Sequence, residues 1–163
     1  MKEEPEKIAV HFLYPSNLFV NNQRHVITTI LGSCVGICLY DTRLRMGGMN
    51  HYMLALWNGN GLASPRFGNI ANEKLIQQVL QLGSAKADLV AKVFGGANQT
   101  TSYNNIGARN VEIALEMLDQ AKIPVVGKSV EGEIGRKIVF DTMTGEVRMK
   151  FVQKTPSKNE TRQ

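Results

Sequence analysis

The sequence predicts a single-domain α/β sandwich with mixed, largely antiparallel sheets and two main helices. Three observations predict it. The 163 residues are enough for one domain and for a core without staples. β-forming and apolar residues cluster in several short runs bounded by turn signals, but apolar residues recur at helical spacing in only two places. The runs follow the order strands, helix, strand, helix, strands, with no internal repeat and no linker.

Residues 1–7 are charged, contain Pro5 and read as a flexible N-terminus. The domain is expected over residues 8–152, and residues 153–163 (QKTPSKNETRQ from Gln153) read as a flexible C-terminal tail. Ile8 to Leu13 reads as a short strand before the turn at Tyr14-Pro15-Ser16-Asn17, and Leu18 to Val20 as a second extended piece. His25 to Leu31 (HVITTIL) is rich in β-branched residues and predicts a strand. Gly32-Ser33 interrupts it, and Cys34 to Tyr40 (CVGICLY) reads as a buried strand. Met46 to Leu56 is a third run. Period two puts Met49, His51 and Met53 on one face and Tyr52 and Leu54 on the other.

Residues 57–68 are a loop with three glycines and a proline. Asn69 to Leu82 predicts a helix, with Asn69 as N-cap, Leu75, Val79 and Leu82 at helical spacing, and Gly83 as the stop. Leu89 to Phe94 is a strand ending at Gly95-Gly96, and residues 97–105 are a polar loop. Val111, Ala114, Leu115 and Leu118 predict a second helix over 107–121, closed by Pro124. Val125 to Val130, Lys137 to Asp141 and Glu146 to Val152 are strands, the last two joined by a turn ending in Gly145.

Composition excludes several classes of function. No run approaches the ~20 apolar residues of a membrane helix, and the N-terminus lacks the basic-then-apolar order of a secretory signal. A cytoplasmic protein without membrane insertion is therefore expected. The net charge of +5 is spread out and partly in the tail, with no basic stripe and no nucleic-acid motif. Neither phosphate-binding glycine fingerprint is present, so no nucleotide cofactor is expected. Two cysteines and three histidines without ligand spacing predict no metal site.

Gly32-Ser33-Cys34 is the strongest local feature. A cysteine on a corner between two β-segments can project a thiol into a cleft. Backbone N–H groups around Gly32 and Ser33 can then face a developing oxyanion. A packed structural cysteine is the ordinary occupant of such a place. Cys38 reads as core: on one strand it stands about 13 Å from Cys34, too far for a disulfide. A thiol with a pKa near 8.5 needs a base to react at neutral pH. His51, on a β-like face among methionines, suits that role; His25 competes with it, and His11 lies near the N-terminus. Thr28 and Thr29 face opposite sides of their strand, so only one can point toward a site at Cys34. Gly95 and Gly96 end a strand and could let a substrate approach the backbone, although such turns need glycine anyway.

Four motifs then carry a resemblance. ITTILGSCVGICLYD (Ile27 to Asp41), GGMNHYML (Gly47 to Leu54), AKVFGGAN (Ala91 to Asn98) and NIGARNVE (Asn105 to Glu112) occur in this order. The chain resembles, from about His11 to about Val152, the CheD family of chemoreceptor glutamine deamidases. The resemblance implies a cofactor-free cysteine amidohydrolase that converts receptor glutamines to glutamate and releases ammonia. It implies Cys34 as nucleophile, His51 as base and Thr28, six residues before the cysteine, as the group that orients the imidazole. It also implies chemoreceptor cytoplasmic domains as substrate, a CheC-type phosphatase as partner and a receptor methylesterase side activity. Ala55-Leu56-Trp57 and EGEIGRK (Glu131 to Lys137) depart from the family's pattern. Two other classes remain beside the enzyme: a non-catalytic adaptor between chemoreceptors and the phosphatase, which would survive loss of Cys34, and a cysteine peptidase, which would cleave backbone.

Overall fold

The computed structural model describes residues 7–98 and 105–152. The expected flexible N-terminus (but for Lys7), most of the loop 97–105 and the C-terminal tail lie outside the described residues.

Nine strands form two sheets. One is four-stranded, in the order β1 (Ala9–Phe12), β3 (His25–Leu31), β8 (Arg136–Asp141) and β9 (Val147–Phe151). The other is five-stranded, in the order β2 (Asn17–Asn21), β5 (Met46–His51), β4 (Val35–Asp41), β6 (Leu89–Gly95) and β7 (Val125–Val130). Each sheet has one parallel pair, β1 with β3 and β6 with β7, and is otherwise antiparallel. Helices α1 (Gly68–Gln81) and α2 (Ile106–Gln120) pack on the five-stranded sheet. No described helix is long and apolar enough to cross a membrane.

Strand alternation divides the core into two layers. Val35, Ile37 and Leu39 of β4 face the helices with Tyr52, Leu75, Val79, Val111 and Leu118. Cys38 of β4 faces the other sheet, with Met49, Phe94, Ile27, Leu31, Ile138 and Phe140. A strand buried on both faces reads as a continuous apolar run, which is what CVGICLY is. On β3, Ile27, Thr29 and Leu31 point between the sheets and are fully buried, while Ile30 is exposed.

Two local expectations change. The run from Met46 stops being a strand at His51. Tyr52 keeps a single bridge to Val35, and Met53 and Leu54 turn away to donate to the Arg66 carbonyl. Helix α1 is not capped by Asn69: its N-cap is Phe67, and the carbonyls of Leu54 and Ala55 accept from Gly68 and Asn69. The incoming loop thus satisfies the free N–H groups that a capping side chain would otherwise meet. The Asn69 side chain accepts instead from the Trp57 N–H. A short 3-10 turn, Lys86–Asp88, precedes β6 and has no counterpart in the sequence reading.

Candidate active site

The register of β4 and β5 places the sulfur and the imidazole. Cys38 pairs with Met49, and beyond a break Val35 bridges Tyr52 in the same register. Gly36 therefore lies across from His51, and Cys34 lies across from Met53. Residues directly opposite, and those two apart on one strand, share a face. Cys34 and His51 are thus diagonal neighbours on the face toward the second sheet. Diagonal neighbours on a regular antiparallel ladder lie about 7–8 Å apart, within reach of an imidazole. No side chain stands at Gly36 to intervene. Half-buried Cys34 packs against the buried inter-sheet cluster that includes Leu31, Met49 and Phe94.

His51 is 2% exposed. Its Nδ1 is 2.8 Å from Thr29 Oγ1, and Thr29 Oγ1 donates to the Leu13 carbonyl at 2.7 Å. This chain selects a tautomer. The Thr29 hydroxyl has one proton, and the buried carbonyl can only accept it. Thr29 must then accept at its oxygen, so Nδ1 carries the hydrogen and donates it. Nε2 is left as the basic nitrogen, free for a thiol proton.

The threonine implied by the resemblance is not the one that meets His51. Thr29, not Thr28, meets His51, because strand alternation turns Thr29 toward the gap between the sheets and Thr28 away from it. Thr28 Oγ1 is buried and has no hydrogen-bond partner among the described residues.

Burial governs both titrations. It pushes His51 down to about 4, opposed by the Leu13 carbonyl, which favours the protonated ring. It pushes the Cys34 thiol up, opposed by that residue's own backbone N–H. The resting pair at neutral pH is accordingly thiol and neutral imidazole, not a thiolate–imidazolium pair. Burial also pushes Cys38 far up, as befits an inert core thiol.

The other histidines lie elsewhere. His11 stacks on Phe19 with centroids 3.9 Å apart, and His25 meets the same ring edge-on at 4.8 Å. His25 Nδ1 pairs with the Gln23 carbonyl at 2.9 Å. Among the described residues, no hydrogen bond ties either ring to the Cys34 corner. Gly95 and Gly96 do lie against it, but as support: Gly96 N–H donates to the Cys34 carbonyl at 2.9 Å and Ala97 N–H to the Gly32 carbonyl at 3.0 Å. A Gly96 N–H so used is not free for an oxyanion. The Ser33 and Cys34 N–H groups donate to no other residue among those described.

Two contributors had no signal in the sequence. The Leu13 carbonyl is backbone, and no residue type announces it. Asn110, inside α2, donates its side-chain amide to Ser33 O and Met53 O; in the sequence it is one asparagine of a helix-opening segment. Among the described residues, no group of three His, Cys, Asp or Glu side chains could hold a metal ion.

Comparisons with known proteins agree on one family. The family profile described as "CheD chemotactic sensory transduction" matches residues 53–151. The chain is 48% identical over 149 residues to the "Probable chemoreceptor glutamine deamidase CheD" of Trichlorobacter lovleyi, covering 90% of this chain and 92% of that one. It is 45% identical over 148 residues to the protein of the same description from Sulfurimonas denitrificans, covering 88% and 95%. It is 42% identical over 137 residues to "Probable chemoreceptor glutamine deamidase CheD 1" of Anaeromyxobacter dehalogenans, covering 82% and 80%. Residues 28–51 precede the profile match but fall within an alignment spanning 90% of the chain. With a profile over more than half its length and relatives alike nearly end to end, the chain belongs to the CheD family.

Proposed function

We propose that this protein is a chemoreceptor glutamine deamidase, with Cys34 as nucleophile, His51 as general base and acid, and Thr29 as the group that orients the imidazole. The observation that carries this reading is the hydrogen-bond chain from the Leu13 carbonyl through Thr29 to His51 Nδ1, with Cys34 on the same face of the same sheet. The descriptions of its relatives supply the substrate class.

The reaction follows from the neutral pair. His51 Nε2 takes the thiol proton as the sulfur attacks the carboxamide carbon of a glutamine, so charge separates only as the bond forms. The tetrahedral oxyanion is met by the free Ser33 and Cys34 N–H groups. The imidazolium, held through Nδ1–H by Thr29, returns its proton to the departing nitrogen, and ammonia leaves. Water, deprotonated by the same nitrogen, attacks the thioester carbon. The thiol reforms and the product is glutamate. A methyl ester would follow the same path with methanol as leaving group, which is how the site would support a receptor methylesterase side activity. A CheC-type phosphatase is the proposed regulatory partner, on the family resemblance.

The test is mass spectrometry of chemoreceptor signalling fragments incubated with the protein. The expected product is a gain of about 1 Da at selected glutamines with stoichiometric ammonia, lost in Cys34→Ala and reduced roughly 10²–10⁴-fold in His51→Ala. Receptor peptides left unchanged while Cys34→Ala retains partner binding would establish an adaptor instead. Cleaved backbone would establish a peptidase.

A further inference from the structure

Asn110 lies in the second turn of α2 and is fully buried. Both hydrogens of its Nδ2 are committed, one to Ser33 O at 3.0 Å and the other to Met53 O at 2.9 Å. Its main-chain carbonyl accepts the Tyr52 hydroxyl at 2.5 Å. Its Oδ1 is buried and has no partner among the described residues. A buried amide with an unanswered acceptor is a poor way to fill space, since an apolar side chain would leave nothing unpaired. What this amide provides is two donors, aimed at two segments of main chain.

Those segments carry the proposed chemistry. Ser33 precedes Cys34, and Met53 follows His51 by two residues. The Val35–Tyr52 bridge is the last rung between β4 and the end of β5, and both acceptors lie just past it. The flanking carbonyls of Gly32 and Cys34 are tied to Ala97 and Gly96, on the β6 side. Among the described residues, the Ser33 carbonyl has only Asn110. The amide therefore closes the open end of the ladder, where Cys34 stands across from Met53. Tyr52, the residue between His51 and Met53, anchors the same turn of α2 through its hydroxyl.

We propose that Asn110 is a positioning residue for the thiol chemistry. By holding Ser33 and Met53 to one side-chain nitrogen, it sets the separation between the Cys34 corner and the strand that bears His51. The proposal rests on the reading of Cys34 as nucleophile and His51 as its base.

Alkylation of Cys34 by iodoacetamide, followed by peptide mass spectrometry from pH 5 to 9, tests it at temperatures well below each variant's Tm. A thiol assisted by a neutral imidazole reacts at a rate that persists below pH 7, whereas an unassisted thiol follows its thiolate fraction and slows tenfold per pH unit. His51→Ala is expected to convert the first profile to the second. Asn110→Ala is expected to do the same, at least tenfold slower than the parent protein at pH 6. Asn72→Ala is the control. Asn72 is another buried asparagine, bonded to Asn50, Met117 and the Tyr52 hydroxyl but to neither Ser33 nor Met53, so its loss should lower Tm and leave the profile alone. If Asn110→Ala does not fold, Asn110→Ser, which keeps one donor, is expected to give an intermediate profile. A parent-like profile in the folded Asn110 variant, with His51→Ala converted, overturns the positioning role alone. A parent-like profile in His51→Ala overturns the base assignment and the positioning role with it. Equal conversion in Asn72→Ala reduces Asn110 to general stability.

Discussion

Thr29 Oγ1 and His51 Nδ1 meet at 2.8 Å across the gap between the two sheets, one residue contributed by each. The hydroxyl donates its one hydrogen bond to the Leu13 carbonyl, so the imidazole can only donate to it. A threonine is a weaker partner for an imidazolium than a carboxylate. It leaves the ring neutral in this dry setting, which is the state a base needs.

Thr29→Val is expected to lower kcat about 10–100-fold with little change in KM, because the ring loses the partner that holds its tautomer. Thr29→Ser, which keeps the hydroxyl, is expected to retain most activity. Thr28→Val should leave the rate near that of the parent protein. It should also stabilise by up to about 1 kcal/mol, since it removes a buried hydroxyl without a partner. Ammonia release and urea denaturation of the three variants separate these outcomes. A large loss in Thr28→Val with none in Thr29→Val would reverse the assignment.

Stability is expected to fall as pH drops from about 6.5 to about 4. Over that interval the unfolded chain binds a proton at residue 51 while the folded protein, with His51 pushed down to about 4, does not. Stability attributed to this histidine is full above pH 6.5 and declines below it, by at most about 3 kcal/mol. His51→Gln should flatten that part of the curve. Asp141, held low by Arg24, acts only below the ordinary carboxylate range. So does Asp41, held low against its burial by Ser84 and two backbone N–H groups. Urea midpoints at pH 7, 5.5 and 4.5 in parent and variant measure the effect.

The rate should show the matching acid limb. Deamidation is expected to hold nearly level from pH 8 to about 5 and to fall tenfold per pH unit below about 4, as His51 takes up a proton and can no longer accept one from Cys34. A limb centred near 6.5 would show that the imidazole is not buried during turnover.

Gly36 has space for hydrogen only. A Cβ there would lie 2.7 Å from Met49 Cε and 2.9 Å from the Asn50 carbonyl, on the strand position across from His51. The methionine can move, but the carbonyl is backbone. Gly36→Ala is expected to cost about 1–3 kcal/mol and to reduce kcat by widening the spacing between β4 and β5. Thermal unfolding with ammonia release tests this.

Gly95 has φ of +106°, and a Cβ would collide with the Cys34 carbonyl. Gly95→Ala thus combines backbone strain with displacement of the Cys34 corner. A larger loss of stability than for Gly36→Ala is expected, with activity lost in the protein that still folds. Circular dichroism melts and the same assay compare the two.

The sequence by itself determined the elements, the sandwich class and the suspect pair. Runs of β-branched and apolar residues bounded by turn signals marked β3, β4 and β7 almost to the residue, because strand propensity and burial are carried by residues adjacent in the chain. The family was legible in four short motifs. Tertiary structure decided which threonine meets the imidazole. Thr28 and Thr29 have the same chemistry, and only the burial of one face of β3 against the other sheet distinguishes them. It also set the contacts of the Leu13 carbonyl and the Asn110 amide. A carbonyl carries no residue code, and an asparagine on a helix shows its targets only when α2 packs beside the ends of two strands 20 residues apart (Ser33 and Met53). Contacts of that kind depend on where separate elements dock, and no local pattern in the chain records it.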